Sequence, residues 1–549
     1  MKNPSRPKPK KLSAVSRQNS FFRLSEQLTL LRRLTHRSAL LGEELAQLSA
    51  KFRRLTAAKD QPFAFTTNLS TNQHLLETLL RDSMDVRYRR FVSGGHNVLL
   101  VYLMGLIHSE LLDETVIFPL ITYNASLPLT PERAVSSVLS ANAVSLPEQA
   151  SDAIQMMMSG SVLLFLDGYA ESIAIHIPKN AKRGINSSKI ESVILGPSDA
   201  FNETLTDNIA LIRRRTRDTN VKVRLLHLGE RSHTSLALVY CANLIKPGLL
   251  EDVESRLKAI KIDLILYSNT LEEYLSSRTW SPFPEAQATE RPDNVVASIY
   301  EGRLAILLDN TPNALIIPTT LHCHLQSADD YAGPALGASV IRITRYVAAF
   351  IGVYLPAIYI SLVSYHPGML PTSLAISIAE LRVRTPFPSF IEAIIMEALL
   401  EILQEAITRL PEKLTGVVGV VGALVIGTTV VEAGLVNPLL VVIIATTAIA
   451  SFAMPSYKFS VAIRLLRVPV LISGAVLGLY GVMISFLTIL VFMCSMRPFG
   501  ESYLGGLFDI SSMADWKDLL IRAPAPLRTS RARRFGPQDP VRAGDPGDE

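Results

Sequence analysis

The sequence predicts an α/β region of two subdomains, which we expect to be cytosolic, followed by an α-helical polytopic membrane domain. Of the 549 residues, 48% are hydrophobic and only 19% are charged, whereas soluble globular chains carry about 25% charged residues. Long uncharged stretches begin after Arg345. We therefore divide the chain into a basic N-terminal arm (1–60), two α/β subdomains (61–184 and 185–335), a transmembrane domain (336–505) and a basic, Pro-rich C-terminal tail (506–549).

The arm at 1–60 carries 14 Lys and Arg residues against four Asp and Glu residues. Each basic side chain near an anionic lipid surface contributes about 1 kcal/mol of attraction, so the arm is either a lipid-binding segment or a solvated tail. Its few aromatic residues offer no platform for base stacking, and we expect no nucleic-acid partner. No apolar segment of signal-peptide type follows the first basic residues, and the three cysteines are far apart. Both features favour a reducing, cytosolic compartment for this half.

Each subdomain contains short apolar or alternating segments of the strand type. In the first we expect strands at 98–104, 162–166 and 172–177, with Asp167-Gly168 as the tight turn between the last two. In the second we expect strands at 221–228, 235–240 and 262–267, a helix at 250–260, and a hairpin of 304–308 with 314–317. The boundary is placed near 179–189, where Gly, Asn and Ser cluster.

The membrane domain opens with 346–365, which is 20 residues without a charge and long enough to cross a hydrocarbon core of about 30 Å. Pro356 is expected to kink this helix. Segments 417–431 and 438–454 are shorter and form either two tilted helices or a broken pair, and 468–495 is expected to be a single span. Basic residues after Arg522 favour a cytosolic position for both ends, hence an even number of crossings, four or alternatively six.

Carboxylates interrupt the membrane domain between positions 390 and 410. Glu397, Glu401 and Glu405 fall within about 80° of one helix face, whereas Glu392 lies on the other side. Charges at membrane depth persist beside water, partners or a pore. One interpretation is therefore an acidic ring, built by several copies, that attracts cations. The alternative is an interfacial helix with a wet polar face, on which Glu405 pairs with Arg409.

The segment after this acidic helix carries two further signals. Small residues give it a surface for close helix packing: Gly416, Gly419, Gly422 and Gly427. Glu432 lies just before the helix break at Asn437-Pro438, and discontinuous helices line cavities more often than they face lipid. We therefore interpret Glu432, with Thr428 and Asn437, as pore or gating candidates.

The sequence offers no catalytic constellation. It has no P-loop, no GxSxG elbow and no HExxH motif, and we expect neither enzymatic activity nor a cofactor. On a strand, His322-Cys323-His324 would point both imidazoles to one face and the thiol to the other, which suits a metal poorly, so no metal site is predicted. Arg213-Arg214-Arg215 either meets an anionic partner or forms a salt-bridged helix face.

Several short motifs occur in one order between about Arg81 and Leu504. In the soluble half they include Gly196-Pro197, Ser281-Pro282-Phe283-Pro284, Glu290-Arg291-Pro292-Asp293 and Glu301-Gly302-Arg303. In the membrane half they include Leu355-Pro356-Ala357, Thr385-Pro386-Phe387-Pro388, Arg409-Leu410-Pro411, Ala433-Gly434-Leu435-Val436 and Phe499-Gly500. With these motifs the chain resembles the A-subunit family of spore germination receptors, the GerA family.

The resemblance implies a subunit of a nutrient-sensing complex in the inner membrane of an endospore. Such a subunit works with a transporter-like B subunit and a lipoprotein C subunit. The resemblance also implies a homo-oligomer with an ion-conducting path that opens when nutrient is sensed, while the nutrient itself binds the B subunit. The rival hypothesis is a non-conducting scaffold that docks its partners through the soluble domain and uses the membrane half as an anchor.

Overall fold

The structure is a computed structural model, and it describes residues 64–123, 128–179, 191, 196–411, 416, 419, 422, 425–505 and 518–542. The arm at 1–60 and nearly all of the expected subdomain boundary at 179–189 lie outside the described residues. Segments Phe65–Glu148 and Asp152–Glu549 form one compact unit, to which every contact below belongs.

The first subdomain is a five-stranded sheet with its helices. Its elements are α1 (Leu69–Leu79), β1 (Val86–Ser93), β2 (His96–Leu103), β3 (Val144–Ser145), α2 (Ala150–Met158), β4 (Ser161–Leu166) and β5 (Ser172–His176). Between β2 and β3 the chain makes the helical turns Ser109–Leu112, Asp113–Ile117, Phe118–Thr122, Pro131–Arg133 and Ala134–Val138. The strand order is β1-β2-β4-β5-β3, and all pairings are antiparallel. The turn predicted at Asp167-Gly168 does join β4 to β5.

The second subdomain repeats this topology. Its elements are α3 (Leu205–Thr216), β6 (Val221–Leu228), β7 (Thr234–Cys241), α4 (Leu249–Ala259), α5 (Ser268–Leu275), β8 (Gln287–Thr289), α6 (Pro292–Ile299), β9 (Leu304–Leu308) and β10 (Ala314–Ile317). The order β6-β7-β9-β10-β8 is again first, second, fourth, fifth, third, and again antiparallel. Mixed helix and strand is therefore confirmed, but the sheets contain no parallel pairing among the described strands.

The strand predicted at 262–267 is wrong. This segment is irregular, and its backbone bonds a loop instead, with Glu230 N donating to Ile262 O at 2.8 Å. Only Ile265 of its apolar residues is fully buried, while Leu264 and Leu266 are exposed. The place next to β10 is filled by β8, so an alternating pattern here has no neighbouring strand to pair with.

The two subdomains are joined by a buried ion pair. Arg213 on α3 donates to both carboxylate oxygens of Asp85 at 2.7 and 3.0 Å, and both side chains are almost fully buried. Met84 N donates to Val223 O at 2.9 Å alongside it. Arg215 pairs with Asp199, and Arg214 donates to Lys179 O. Two of the three arginines in this triplet are therefore salt-bridged, and the third is held by the backbone.

The described part of the helical region contains five helices longer than ten residues: α7 (Ala335–Tyr365), α8 (Thr372–Arg382), α9 (Ser389–Arg409), α10 (Pro438–Phe452) and α11 (Tyr457–Ser495). Short turns lie at Pro367–Met369, Val425–Thr429 and Val430–Glu432. Two of the described helices, α7 and α11, are long and apolar enough to cross a membrane by length and composition. Helix α10, with 15 residues, is shorter than a usual span of about 20 residues.

The single span predicted at 468–495 is wrong, because α11 reverses direction at Gly478. This residue has φ 61° and ψ −146°, a conformation open essentially to glycine alone. Ser473 Oγ donates to Gly481 O at 2.8 Å across the turn. The two antiparallel limbs, 457–477 and 479–495, are about 30 and about 25 Å long at about 1.5 Å per residue.

Part of the predicted tail is packed structure. In the segment 518–542, Gln538 N donates to Leu244 O at 3.1 Å and Arg531 Nε donates to Tyr300 O at 3.0 Å, both in the second subdomain. Phe535 is completely buried. The chain thus returns, after the helical region, to the subdomain from which it entered that region.

Candidate functional site: a charge layer and an aromatic joint

A layer of charged and polar side chains lies between α9 and the first limb of α11. Its centre is Arg467, whose side chain is 3% exposed and whose Nη1 donates to Glu397 Oε2 at 2.7 Å. Arg467 also donates to Gly352 O at 2.7 Å and to Ser451 Oγ at 2.7 Å. One guanidinium therefore joins α7, α9 and α10 to α11. We call Glu397, Glu401, Gln404, Arg464 and Arg467 the charge layer.

Arg464, one turn below Arg467, extends this layer. Its Nη1 lies 3.0 Å from Glu401 Oε1 and also donates to Gln404 Oε1. Glu397 and Glu401 are four residues apart on α9, and Arg464 and Arg467 are three residues apart on the antiparallel limb. Residues three or four apart lie on the same face of a helix in successive turns, so the two acids face the two arginines.

The acidic stripe changes character along its length. The Glu397 side chain is 12% exposed, that of Glu401 is 55% exposed and that of Glu405 is 63% exposed. Glu405 pairs with Arg409 at 2.6 Å along its own helix. The first acid is therefore enclosed and neutralised, whereas the other two present much of their surface outward.

Glu392 and Asn437 form a second buried polar contact. Asn437 N donates to Glu392 Oε2 at 3.1 Å, and Asn437 Oδ1 caps α10 by accepting from Leu439 N at 2.9 Å. Both residues are 1% exposed. Asn437 thus serves as the N-cap of a helix whose start is fixed to α9.

The remaining pore and packing candidates lie on the segment between α9 and α10. Glu432 and Thr428 are both exposed, and Glu432 makes no ion pair with any described residue. Of the four glycines, Gly422 is packed against α9, since an added Cβ would lie 2.6 Å from Leu403 Cδ1. Gly416, Gly419 and Gly427 have no such close neighbour in the described chain. The predicted packing surface is thus only partly occupied within one copy.

An aromatic joint connects the second subdomain to the helical region. Phe283 lies between Phe459 and Phe492, at the outer ends of the two limbs of α11, with ring centroids 6.3 and 6.2 Å away. Tyr503 lies at 5.9 Å from the same ring. Because aromatic pairs at such distances add about 0.5–1.5 kcal/mol beyond area burial, Phe283 holds both limbs to one loop. These four residues are the aromatic joint.

Polar contacts surround the aromatic joint. Lys458 pairs with Glu272, and Arg278 Nη1 donates to Ser495 Oγ at 2.9 Å while its guanidinium lies over the Phe492 ring. Each limb of α11 is thereby anchored by its own charged contact with the second subdomain.

His322-Cys323-His324 lies in the helical turn Leu321–Leu325 and not on a strand, so the predicted two-faced arrangement is wrong. Burial, with the positive charge of Arg534, lowers the pKa of His322 to about 3, and burial with Arg303 and Lys458 lowers that of His324 to about 3. His324 stacks on Phe459 beside the joint. No cluster of three His, Cys, Asp or Glu residues suited to a metal occurs in the described residues.

The sequence did not reveal which residues contact the acids of the charge layer, or which residue holds the ends of α11 in the aromatic joint. Arg464 and Arg467 precede the segment 468–495 and were given no role from the sequence, although their spacing of three complements Glu397 and Glu401 and was a usable signal. Phe283 was noted only as part of a motif. Nothing in the local sequence indicates that one aromatic ring contacts two helix ends.

Comparison with known proteins agrees with the motifs. The family model described as Bacillus/Clostridium GerA spore germination protein matches residues 74–534. The uncharacterized membrane protein YfkQ of Bacillus subtilis is 35% identical, over 89% of this chain and 96% of that protein. Spore germination proteins B1 and KA of the same organism are 35% and 34% identical, over 87% and 88% of this chain and 99% and 90% of their own lengths.

Among solved structures, the chain is similar to the N-terminal domain of the A subunit of the Bacillus megaterium spore germinant receptor GerK3. The two are 26% identical, and the match covers 47% of this chain and 97% of that domain with a TM-score of 0.38. The family match over most of the chain and the full-length relatives confirm the resemblance noted in the sequence. The chain belongs to the GerA family of spore germination proteins.

Proposed function

We propose that this chain is a membrane subunit of a nutrient-sensing spore germination receptor in the inner membrane of the endospore. Copies of it assemble around an axis and form a cation path that opens when nutrient is sensed. The observation that carries this proposal is the outward exposure of Glu401 and Glu405, 55% and 63%, on a helix of the apolar region.

The exposed carboxylates on the outside of the helical bundle are the reason to propose an oligomer. They do not face acyl chains stably, and they occur beside water or partner groups. Glu401 and Glu405 share their helix with the exposed, apolar Ile402, so α9 as a whole lies at a boundary between lipid and an aqueous surface. A second copy of the chain supplies that boundary, and repetition of the two acids around an axis gives rings that attract cations.

The helix directions support a multi-pass arrangement with an even number of crossings. Arg467 lies near Gly352 of α7, whereas Tyr365, at the end of α7, contacts Ala475 near the α11 turn. Helix α9 and the first limb of α11 run in opposite directions through the charge layer. We therefore propose six crossings, the alternative number considered above, with both ends on the cytosolic side.

In this proposal the other receptor subunits provide the signal. A transporter-like B subunit binds the nutrient, a lipoprotein C subunit completes the complex, and membrane lipid surrounds the bundle. The aromatic joint then transmits movement between the second subdomain and α11. Glu432, Thr428 and Asn437 border the path next to the break before α10, and the glycines without close neighbours face the adjacent copy.

The test is electrical recording from the purified chain in lipid bilayers, alone and with its B and C subunits. We expect cation-selective current, and we expect Glu401→Gln/Glu405→Gln to reduce the preference for cations over anions several-fold. Glu251→Gln on α4, an exposed acid of the soluble region, is the matched control and leaves the current unchanged. No current in any combination, together with normal assembly, contradicts the proposal.

A non-conducting scaffold is the second candidate function. It is favoured by the enclosed Glu397–Arg467 pair, because a neutralised acid held by four helices stabilises a closed bundle as well as a pore. The two functions differ in the Glu401→Gln/Glu405→Gln variant. A scaffold retains full germination in spores that carry this variant, whereas a conducting subunit loses cation release.

A further inference from the structure

A cavity of about 320 Å³ lies between the second subdomain and the C-terminal segment 518–542. Its charged lining consists of Asp293, Glu301, Arg303, Arg528, Arg534 and Arg542. The volume is near the lower end of the range of about 300–1,000 Å³ found for small-molecule sites. None of the residues that line the cavity belongs to the charge layer or to the aromatic joint.

The lining of this cavity is strongly basic. Asp293 is already held by Arg291, which donates to its two carboxylate oxygens at 3.1 and 2.7 Å. Glu301 is therefore the one remaining acid of the lining opposite four guanidinium groups. Such an excess of positive charge beside a partly enclosed space favours an anion.

Three of these arginines have unused hydrogen-bonding capacity. Arg303 Nη2, and both Nε and Nη1 of Arg528 and Arg534, are buried without a hydrogen-bond partner among the described residues. Arg528 Nη1 does lie 3.5 Å from Asp518 Oδ2, in an ion pair that leaves its Nε free. A buried donor left unpaired destabilises the folded chain, because it has lost its hydrogen bonds to water without replacement. A ligand with oxyanion acceptors removes part of that cost, and the guanidinium fork matches carboxylate and phosphate groups.

The arginines are held in place by other contacts. Arg303 donates to Pro318 O at 2.8 Å and to Gln287 Oε1 at 3.0 Å. Its guanidinium and that of Arg534 both lie over the Phe535 ring, at 5.0 and 5.1 Å from the centroid. Arg528 lies over the Tyr331 ring at 5.1 Å. The side chains are thus arranged before any ligand binds, which lowers the entropy lost on binding.

We propose that this cavity binds the phosphate or carboxylate group of a small cytosolic molecule, and that binding fastens the C-terminal segment to the second subdomain. Arg528 and Arg534 come from the C-terminal segment, and Arg303 immediately precedes β9 in the second subdomain. An oxyanion between them neutralises both sides at once. Its presence therefore strengthens the attachment of residues 528–542.

The test uses the full chain in detergent micelles, titrated with inorganic phosphate or with malonate, against sodium chloride of equal ionic strength. We expect a saturable rise in Tm and slower proteolytic cleavage within 528–542. Arg528→Gln/Arg534→Gln weakens binding at least tenfold. Arg533→Gln, an exposed neighbour that does not line the cavity, binds as the wild type does. Elution volume and helix content show whether each variant is folded.

The two anions distinguish the sources of the ligand group. A response to phosphate alone indicates a phosphorylated ligand, a response to malonate alone indicates a carboxylic acid, and a response to both indicates a site for either group. Each of these results supports the proposal when Arg528→Gln/Arg534→Gln abolishes it. The proposal is overturned if neither anion exceeds the chloride control, or if a folded Arg528→Gln/Arg534→Gln variant binds with wild-type affinity. Neither readout depends on conduction by the membrane region.

Discussion

Arg467 and Glu397 form a salt bridge of 2.7 Å within the helical region, with their side chains only 3% and 12% exposed. Breaking a buried pair by removing one partner costs about 3–5 kcal/mol, because the other charge stays buried and unpaired. We therefore expect Arg467→Met to lower the free energy of unfolding by that amount. Glu397→Gln costs less, since Arg467 keeps three other acceptors.

The combined Arg467→Met/Glu397→Gln variant checks this interpretation. We expect it to be about 1–3 kcal/mol more stable than the sum of the single losses, because neither charge remains alone. Thermal unfolding in detergent measures all three variants. Glu405→Gln, in a largely exposed pair, is the control and changes stability by less than about 1 kcal/mol. Strictly additive losses contradict a coupled pair.

The reversal at Gly478 predicts where Cys494 lies. Because both outer ends of α11 contact Phe283, Cys494 is expected on the same side of the membrane as the soluble subdomains. It is exposed, whereas Cys241 and Cys323 are buried. A membrane-impermeant maleimide applied to oriented vesicles should label Cys494 from the side that labels Arg231→Cys. Labelling from the opposite side rules out the hairpin.

Phe283→Ala is expected to disrupt the aromatic joint. Removing a buried phenylalanine side chain costs about 3–5 kcal/mol, and here it also frees both ends of α11 from the second subdomain. We expect lower thermal stability and weaker nutrient-triggered cation release from spores. Trp280→Ala, three residues earlier and 98% exposed, is the matched control. Equal behaviour of the two variants contradicts the role assigned to the joint.

His322 and His324 predict a pH dependence. In the folded protein their pKa values are about 3, whereas an unfolded chain protonates histidine near about 6.5. Above pH 6.5 both histidines are neutral in the folded and the unfolded chain. Between pH 6.5 and pH 3 only the unfolded chain takes up the protons, so the free energy of unfolding falls as the pH drops through this range. The slope is about 1.4 kcal/mol per pH unit for each histidine.

Measurement of Tm between pH 7 and pH 5 tests this dependence. We expect His322→Gln/His324→Gln to be less stable than the wild type at pH 7 but to lose stability more slowly on acidification. Wild-type and variant curves that run parallel refute the assignment.

Much of the soluble fold follows from local sequence. Of the eight strands expected from apolar runs, six lie within one residue of their predicted bounds, and the strand expected at 98–104 is shifted by up to two residues. Helix α4 is displaced by a single residue. Strand β1 was missed because its arginines and tyrosine interrupt the apolar alternation; it packs at the sheet edge, where one face remains wet. The segment 262–267 shows the converse, since its alternation is of the strand type but β8 takes the available edge.

The helical region was less accessible to sequence reasoning for a physical reason. Gly478 lies within 28 uncharged residues, so hydropathy does not separate two limbs from one span; the difference resides in one backbone conformation. Likewise, the acidic stripe on α9 follows from helical period, but its division into enclosed and exposed carboxylates depends on where α11 lies. The pore roles of Glu397, Glu401, Glu405, Glu432, Thr428 and Asn437 stay predictions.

The return of the C-terminal segment to the second subdomain has a mechanical consequence. The second subdomain is attached to the rest of the chain at three separate places. Asp330 contacts the start of α7, Phe283 contacts both outer ends of α11, and Tyr300 contacts the C-terminal segment 518–542. Because the attachments are at several points, a movement of the subdomain acts on several helices at once and not on one helix alone. Any rotation of the subdomain must therefore tilt α7 and both limbs of α11 in concert.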